Sequence, residues 1–235
     1  KFHNRTLATL VPTEQLRGEL SGAGFRNLQV ISRGVDTRLF DPRRRDPELR
    51  RRWGADERTP VVLHVGRIAA EKNLTAINEA FARIRQRCPE ARLLLVGDGP
   101  EAGNLRGQWP DAIFTGMLRG ETLAAHYASA DIFLFPSLTE TFGNVTLEAM
   151  ASGLPVVAFD YAAAGQHIRH GSNGLLAAFG NNSEFAAAAG TLIDTYMDDP
   201  VRFAALGSQA RETAEQLDWS HIVCELERVL MTLAR

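Results

Sequence analysis

Cysteine is scarce: 235 residues hold only Cys88 and Cys224, far apart and at no metal-binding spacing. Cys-x-x-Cys, His-x-x-x-His and Asp-x-Asp are all absent, so no metal site is expected. Two cysteines make no disulfide framework, and buried or partly buried thiols in a reducing cytosol are the expectation. No apolar run reaches the roughly 18 residues of a transmembrane helix. The opening Lys1-Phe2-His3-Asn4-Arg5 does not read as a secretion signal. Charge of one sign is also missing: 26 basic against 28 acidic residues give a net charge of -2, which offers no bulk attraction to nucleic acid or anionic membrane. Neither Gly-x-Ser-x-Gly nor Gly-x-x-x-x-Gly-Lys-[Ser/Thr] occurs, which argues against a serine hydrolase or a P-loop NTPase. No internal repeat and no low-complexity linker divides the chain.

Apolar residues are plentiful at 45%, enough for the core of one large domain spanning 1–235. Val61 to Val65, Leu93 to Val96, Ile132 to Phe135 and Pro155 to Phe159 are short and apolar throughout, as strands covered on both faces must be. Between them Asn73 to Arg87 places Leu74, Ile77, Phe81 and Ile84 at helical spacing, and Glu121 to Ser129 and Val145 to Ser152 are further helices. This alternation predicts an α/β fold: a Rossmann-like, doubly wound parallel sheet flanked by helices, with its ligand crevice at the carboxyl ends of the strands. Ahead of the sheet, a strand (Thr6 to Val11), a helix (Thr13 to Leu20) and a strand (Leu28 to Ile31) are expected. From about Asn182 onward come helices, with Thr191 to Met197, Val201 to Ala214 and Ser220 to Leu233 as spans and breaks near Pro200 and Asp218.

The richest stretch runs from Pro136 to Pro155, out of a strand, through a small-residue turn and into a helix. Phe142, Gly143, Asn144, Val145 and Thr146 form the turn and helix start, with Asn144 or Thr146 as the expected cap. A helix start exposes unpaired N–H groups and the positive end of the helix dipole, which suits a phosphate. Glu140 and Glu148, with seven residues between them, suit the hydroxyls of a sugar. A second cluster follows Val65: Gly66 permits a tight turn, and Arg67 and Lys72 reach the same strand end as a fork and a point charge for a diphosphate. The alternative there is a pair of solvated cations matched by Glu71. Gly97-Asp98-Gly99-Pro100 and Phe114 to Leu118, with Gly116, Met117 and Leu118, follow strands too and read either as generic turns or as walls against a flat ligand. Arg43-Arg44-Arg45 and Arg50-Arg51-Arg52 are expected to be a solvated loop and helix start, with anionic lipid as the alternative. His64, inside a strand, is expected to be a satisfied core histidine.

These segments, in this order, resemble the nucleotide-sugar-dependent GT-B glycosyltransferases of group 1, the retaining family that includes bacterial mannosyl- and glucosyltransferases. The resemblance runs from Thr9-Leu10-Val11-Pro12-Thr13 through Ser32-Arg33-Gly34-Val35-Asp36, Val65-Gly66-Arg67 with Glu71-Lys72-Asn73, and Val96 to Pro100. It continues through Tyr127-Ala128-Ser129-Ala130-Asp131, the Glu140 and Glu148 segment, and Gly171 to Leu176.

The resemblance implies the donor-binding half of an enzyme that moves a hexose from a UDP- or GDP-sugar to a hydroxyl acceptor, lipid or glycan, without a metal or other cofactor. It implies that Arg67 and Lys72 hold the diphosphate and that Glu140 lies near the sugar hydroxyls. Gly143 to Thr146 would reach the distal phosphate, Glu148 the ribose, and Gly97 to Pro100 and Phe114 to Leu118 would form the wall against the base, with Gly66 also among the donor-binding residues. Arg33 stands where many relatives have Asn, an added cation for the phosphates. An amino-terminal acceptor-binding domain is implied as partner, with the helix from about residue 216 to Arg235 packed on it, in the cytoplasm or at the inner face of the membrane. A nonenzymatic nucleotide-sugar-binding subunit and a GT-B-fold nucleotide-sugar epimerase are the alternatives.

Overall fold

Six apolar strands pair side by side, all parallel, in a computed structural model that describes residues 3–140 and 142–233. Thr141 of the central stretch and Ala234 and Arg235 of the expected last helix lie outside the described residues. A small unit comes first: β1 (Thr9–Val11), α1 (Glu14–Gly22) and β2 (Leu28–Val30), with β1 and β2 paired parallel apart from the main sheet. β1 is shorter than expected because Thr6 is held in a turn by its N–H and hydroxyl bonds to the carbonyl of His3. After α2 (Pro47–Arg52) the main sheet begins with β3 (Val61–Val65), α3 (Leu74–Arg87), β4 (Arg92–Val96), α4 (Ala102–Gln108), β5 (Ile113–Gly116) and α5 (Gly120–Ser129). It continues with β6 (Ile132–Phe135), α6 (Asn144–Ala151), β7 (Val156–Phe159), α7 (Ala162–His167) and β8 (Gly174–Ala177). The helices α8 (Asn182–Asp198), α9 (Pro200–Glu215) and α10 (Trp219–Leu233) close the chain.

The two-residue period of a strand explains why these runs are apolar throughout. Val61, Leu63, Val65, Phe133, Phe135 and Val156 point into one core, shared with Tyr127 of α5, Leu147 and Met150 of α6 and Ala210 of α9. Val62, Leu93, Leu95, Ile132, Leu134 and Val157 point into the other, against Ile77 and Phe81 of α3 and Phe185 and Leu192 of α8. Each strand therefore has helices on both sides, as the sequence predicted.

Three expectations need correcting. The arginine triplets are not simply solvated. Arg50 is only 1% exposed, and its guanidinium donates to the carbonyls of Ser129 (2.7 Å), Asp56 (2.6 Å) and Thr59 (2.8 Å) and to Asp131 Oδ2 (3.0 Å). Arg45 Nη2 takes the other oxygen of Asp131 at 2.9 Å, and Oδ2 also accepts from the Val61 N–H at 2.8 Å. A buried carboxylate needs such partners to stay charged. Cys88 is buried, and burial pushes its thiol up to about 11, but Cys224 is exposed on the outer side of α10, a helix whose one buried residue is Ile222. His64 is fully buried but only half satisfied: Nδ1 donates to the Leu134 carbonyl at 3.0 Å, whereas Nε2 has no partner, and burial lowers its pKa to about 4.

Candidate functional site

The sheet order is β5-β4-β3-β6-β7-β8. The chain moves outward one way from β3 and the other way from β6, so the loops leaving the carboxyl ends of those two neighbours diverge and leave a crevice. The β3 loop carries Gly66 to Lys72, and the β6 loop carries Pro136 to Glu140. A backbone bond from Leu138 N–H to the Glu71 carbonyl (3.0 Å) ties the two loops together.

On the β3 side the loops form a hydrogen-bonded ladder. Gly66 N–H donates to Val96 O (3.0 Å), Ile68 N–H to Asp98 O (3.0 Å), Glu101 N–H to Ile68 O (3.1 Å) and Gly97 N–H to Gly116 O (2.8 Å). The glycines of Gly97-Asp98-Gly99 serve this packing. A Cβ on Gly97, which has φ +137°, would overlap the Gly66 carbonyl oxygen, and one on Gly99 would overlap the Ile68 carbonyl oxygen. Gly97→Ala is expected to lower stability by about 2 kcal/mol through overpacking against backbone that cannot move aside. Gly103→Ala, in α4 with open space around it, is expected to stabilise by about 0.5–1 kcal/mol. Urea titrations of both variants check the pair.

The two site cations differ. Lys72, 14% exposed on its side chain, forms an ion pair with Glu140, donates to Ser137 Oγ at 3.2 Å and lies over the Phe135 ring at 5.6 Å. Arg67 is 64% exposed and pairs with Glu71 at 3.3 Å, the local partner foreseen as the alternative. The aromatic ring and hydroxyl hold the Lys72 ammonium in place, whereas the exposed Arg67 guanidinium has Glu71 as its only ion-pair partner among the described residues. Glu140 is steadied from the other side by Tyr161, whose hydroxyl donates to its backbone carbonyl at 3.3 Å.

At the start of α6, the cap is Gly143 in the left-handed region, φ 93°, with no side-chain hydrogen bond. This corrects the expected cap: Asn144 is the first helical residue and exposed, and Thr146 is fully buried with Oγ1 unpartnered. A side-chain cap would have consumed the amides that an anion needs. Thr146 N–H turns back to the Gly143 carbonyl (3.0 Å), while no acceptor among the described residues takes the amides of Gly143, Asn144 or Val145. Phe142 is buried, packed edge-on to His167, so its side chain supports the turn from beneath.

One turn into α6, half-buried Glu148 accepts a hydrogen bond at Oε2 from Tyr127 Oη, 2.9 Å. Burial raises the Glu148 pKa and the Tyr127 bond opposes that rise; burial holds the phenol well above its ordinary value, so it stays a donor.

The remaining candidates are looser. Asp98 Oδ1 accepts from Gly99 N–H (2.8 Å), Pro100 and Asp98 are exposed, Met117 is 64% exposed and Leu118 packs partly on the core. Arg33 is exposed and has no ion-pair partner among the described residues. Its neighbour Gly34 is needed for packing, since a Cβ there would lie 2.7 Å from Trp219; Thr37 Oγ1 donates to Asp218 Oδ2 at 2.6 Å beside it. Ser137, Tyr127 and Tyr161 were missed as site residues. Tyr127 falls on the buried face of α5 with Ala124 and Ala128, which reads as core, and no spacing tells that its hydroxyl meets a carboxylate 21 residues on.

A family model described as glycosyl transferases group 1 matches residues 59–195, more than half of the chain. The sulfoquinovosyl transferase SQD2 of Arabidopsis thaliana is 37% identical over 224 residues, 93% of this chain and 43% of that protein. A GDP-mannose-dependent alpha-mannosyltransferase of Corynebacterium glutamicum is 36% identical over 224 residues, 95% of this chain and 52% of that protein. The crystal structure of Anabaena Alr3699/HepE in complex with UDP aligns with TM-score 0.84 and 26% identity over 97% of this chain and 65% of that one. The chain spans about half the length of the curated relatives it matches. Its six-stranded sheet, its crevice between β3 and β6 and these matches make it a member of the group 1 glycosyl transferases, the carboxyl-terminal half of a GT-B fold.

Proposed function

We propose that this chain binds a nucleoside diphosphate sugar, UDP- or GDP-linked, and serves in transfer of its hexose to a hydroxyl on a lipid or glycan, with retention at the anomeric carbon. The observation that carries the reading is one crevice edge where Lys72 and Glu140 pair beside the start of α6, whose first amides have no acceptor among the described residues. Two relatives support it by name: the Corynebacterium protein is called GDP-mannose-dependent, and the Anabaena structure holds UDP.

As the anomeric bond breaks, its electron pair stays on the diphosphate, and negative charge grows there. Lys72, Arg67 and the α6 amides stabilise that charge, the function a metal serves in other sites; no further cofactor enters the reading. Glu140 orients the sugar, with the groove between it and α1, lined by Gln15, Glu19 and Tyr161, open beside it. Glu148 takes the ribose, Gly97 to Pro100 and Phe114 to Leu118 form the wall at the base, and Gly66 is a further donor-binding residue. Arg33 adds a cation for the phosphates. The acceptor-binding partner domain packs on α10, where Val223, Leu230 and Met231 are exposed. No described helix is long and apolar enough to cross a membrane; action in the cytoplasm or at the inner membrane face is part of the proposal.

A thermal-shift panel of UDP-, GDP- and ADP-sugars tests the donor reading. At 100 times its dissociation constant the right donor stabilises by about 2.7 kcal/mol, a rise of about 5–10 °C for a chain of this size. A panel in which no nucleotide sugar moves the midpoint rejects the reading.

A further inference from the structure

Glu148 is a half-buried carboxylate without a cation: among the described residues it forms no ion pair, and its one hydrogen-bond donor is Tyr127. Oε2 takes that bond, while Oε1 has no donor among the described residues. Tyr127 is held on every side. It is fully buried, edge-on to Phe40 (centroids 5.5 Å, 87°) and tilted against Phe133 (5.6 Å, 47°). A rigid phenol fixing one oxygen of a flexible carboxylate leaves the other oxygen with a defined direction. A core tyrosine that merely needed an acceptor would be satisfied by a backbone carbonyl. Here the partner is the acidic side chain whose second oxygen is unclaimed.

We propose that Tyr127 is a positioning residue: its hydroxyl holds Glu148 so that Oε1 accepts from the vicinal hydroxyls of the donor's ribose. The inference rests on the nucleotide reading of the crevice and adds to it the residue that orients the ribose contact. The Tyr127 hydrogen bond opposes the rise that burial imposes on the Glu148 pKa.

The test separates ribose recognition from general stability. UDP and GDP are titrated calorimetrically into the wild-type chain, and the tighter one is compared with its 2′,3′-dideoxy analogue. In Tyr127→Phe, which keeps the ring, affinity for the natural nucleotide is expected to fall about tenfold, the loss of one hydrogen bond to a charged group. Affinity for the dideoxy analogue is expected to stay within about twofold, and Tyr127→Phe in a Glu148→Gln background is expected to add nothing. Equal losses for both nucleotides, or additive losses in the double variant, overturn the inference while leaving nucleotide binding intact. A wild-type chain that binds neither UDP nor GDP removes the reading of the crevice and the inference with it.

A second measurement leaves Tyr127 and Glu148 unaltered. The chain has only three tyrosines, Tyr127, Tyr161 and Tyr196, so 3-fluorotyrosine labelling gives three fluorine signals. The Tyr127 signal, assigned by Tyr161→Phe and Tyr196→Phe, is expected to move with the natural nucleotide and not with the dideoxy one. Identical responses to the two count against the inference.

Discussion

Lys72→Ala is expected to weaken binding of UDP or GDP about a hundredfold while leaving the parent nucleoside within about twofold. Hydrogen bonds to a charged group contribute about 1.5–3 kcal/mol, and each 1.4 kcal/mol is about tenfold. The upper end applies because the ammonium is largely shielded from water and held over Phe135 by Ser137 and Glu140. The substitution also strips Glu140 of its counter-ion, and a bare carboxylate beside a diphosphate repels it. Lys72→Ala in a Glu140→Gln background is therefore expected to show a smaller loss than in the wild type, a coupling that four calorimetric titrations measure. If the proposed transfer holds, its rate with the acceptor-binding half present is expected to suffer more than binding, by about 10²–10³ in kcat, because on that reading the charge on the leaving diphosphate grows in the transition state. Near-normal turnover in Lys72→Ala, or equal losses for nucleoside and nucleoside diphosphate, removes the leaving-group role.

The largest expected effect on stability lies away from the crevice. Asp131→Ala leaves the buried Arg50 guanidinium with carbonyls but no countercharge, takes the nearer of two carboxylate partners from Arg45, and takes the acceptor from the Val61 N–H at the first residue of β3. Breaking a buried pair by deleting one partner costs about 3–5 kcal/mol, a fall in Tm of about 6–20 °C at this chain length. Asp131→Asn keeps an acceptor for Val61 and is expected to lose less. Paired urea melts measure both; a loss below about 1 kcal/mol for the alanine variant means the network behaves like a surface salt bridge.

The contrast between these two residues shows what the sequence carries. Lys72, Glu140 and the Gly143 turn were legible because each sits just past an apolar strand, and the alternation of strands and helices alone sends those ends to one edge. The doubly wound sheet was legible for the same reason. Arg50 was not, because its partner Asp131 is 81 residues away and a run of arginines looks alike whether it faces water or a carboxylate. β8 escaped as a strand because it opens on glycine and has no β-branched or aromatic residue, and α4 escaped because Gly103 and Gly107 dilute its helical signal. The glycines of Gly97-Asp98-Gly99 read equally as a generic turn or as close approach to a flat ligand. The structure gives them another task, to let the β3 and β4 loops meet. The absence of a side-chain cap on α6 could not be foreseen either, since Asn144 and Thr146 are both good capping residues in isolation.

Chemical-shift mapping of backbone amides on titration with UDP and GDP tests the central claim most directly. The largest changes are expected at Gly143, Asn144 and Val145, with Gly66, Gly97 and Gly116 following, and all are expected to be lost in Lys72→Ala. Changes gathered instead in the roughly 460 Å³ groove between α1 and β2, where Arg17 and Arg26 stand, would contradict it, as would a spectrum that neither nucleotide perturbs.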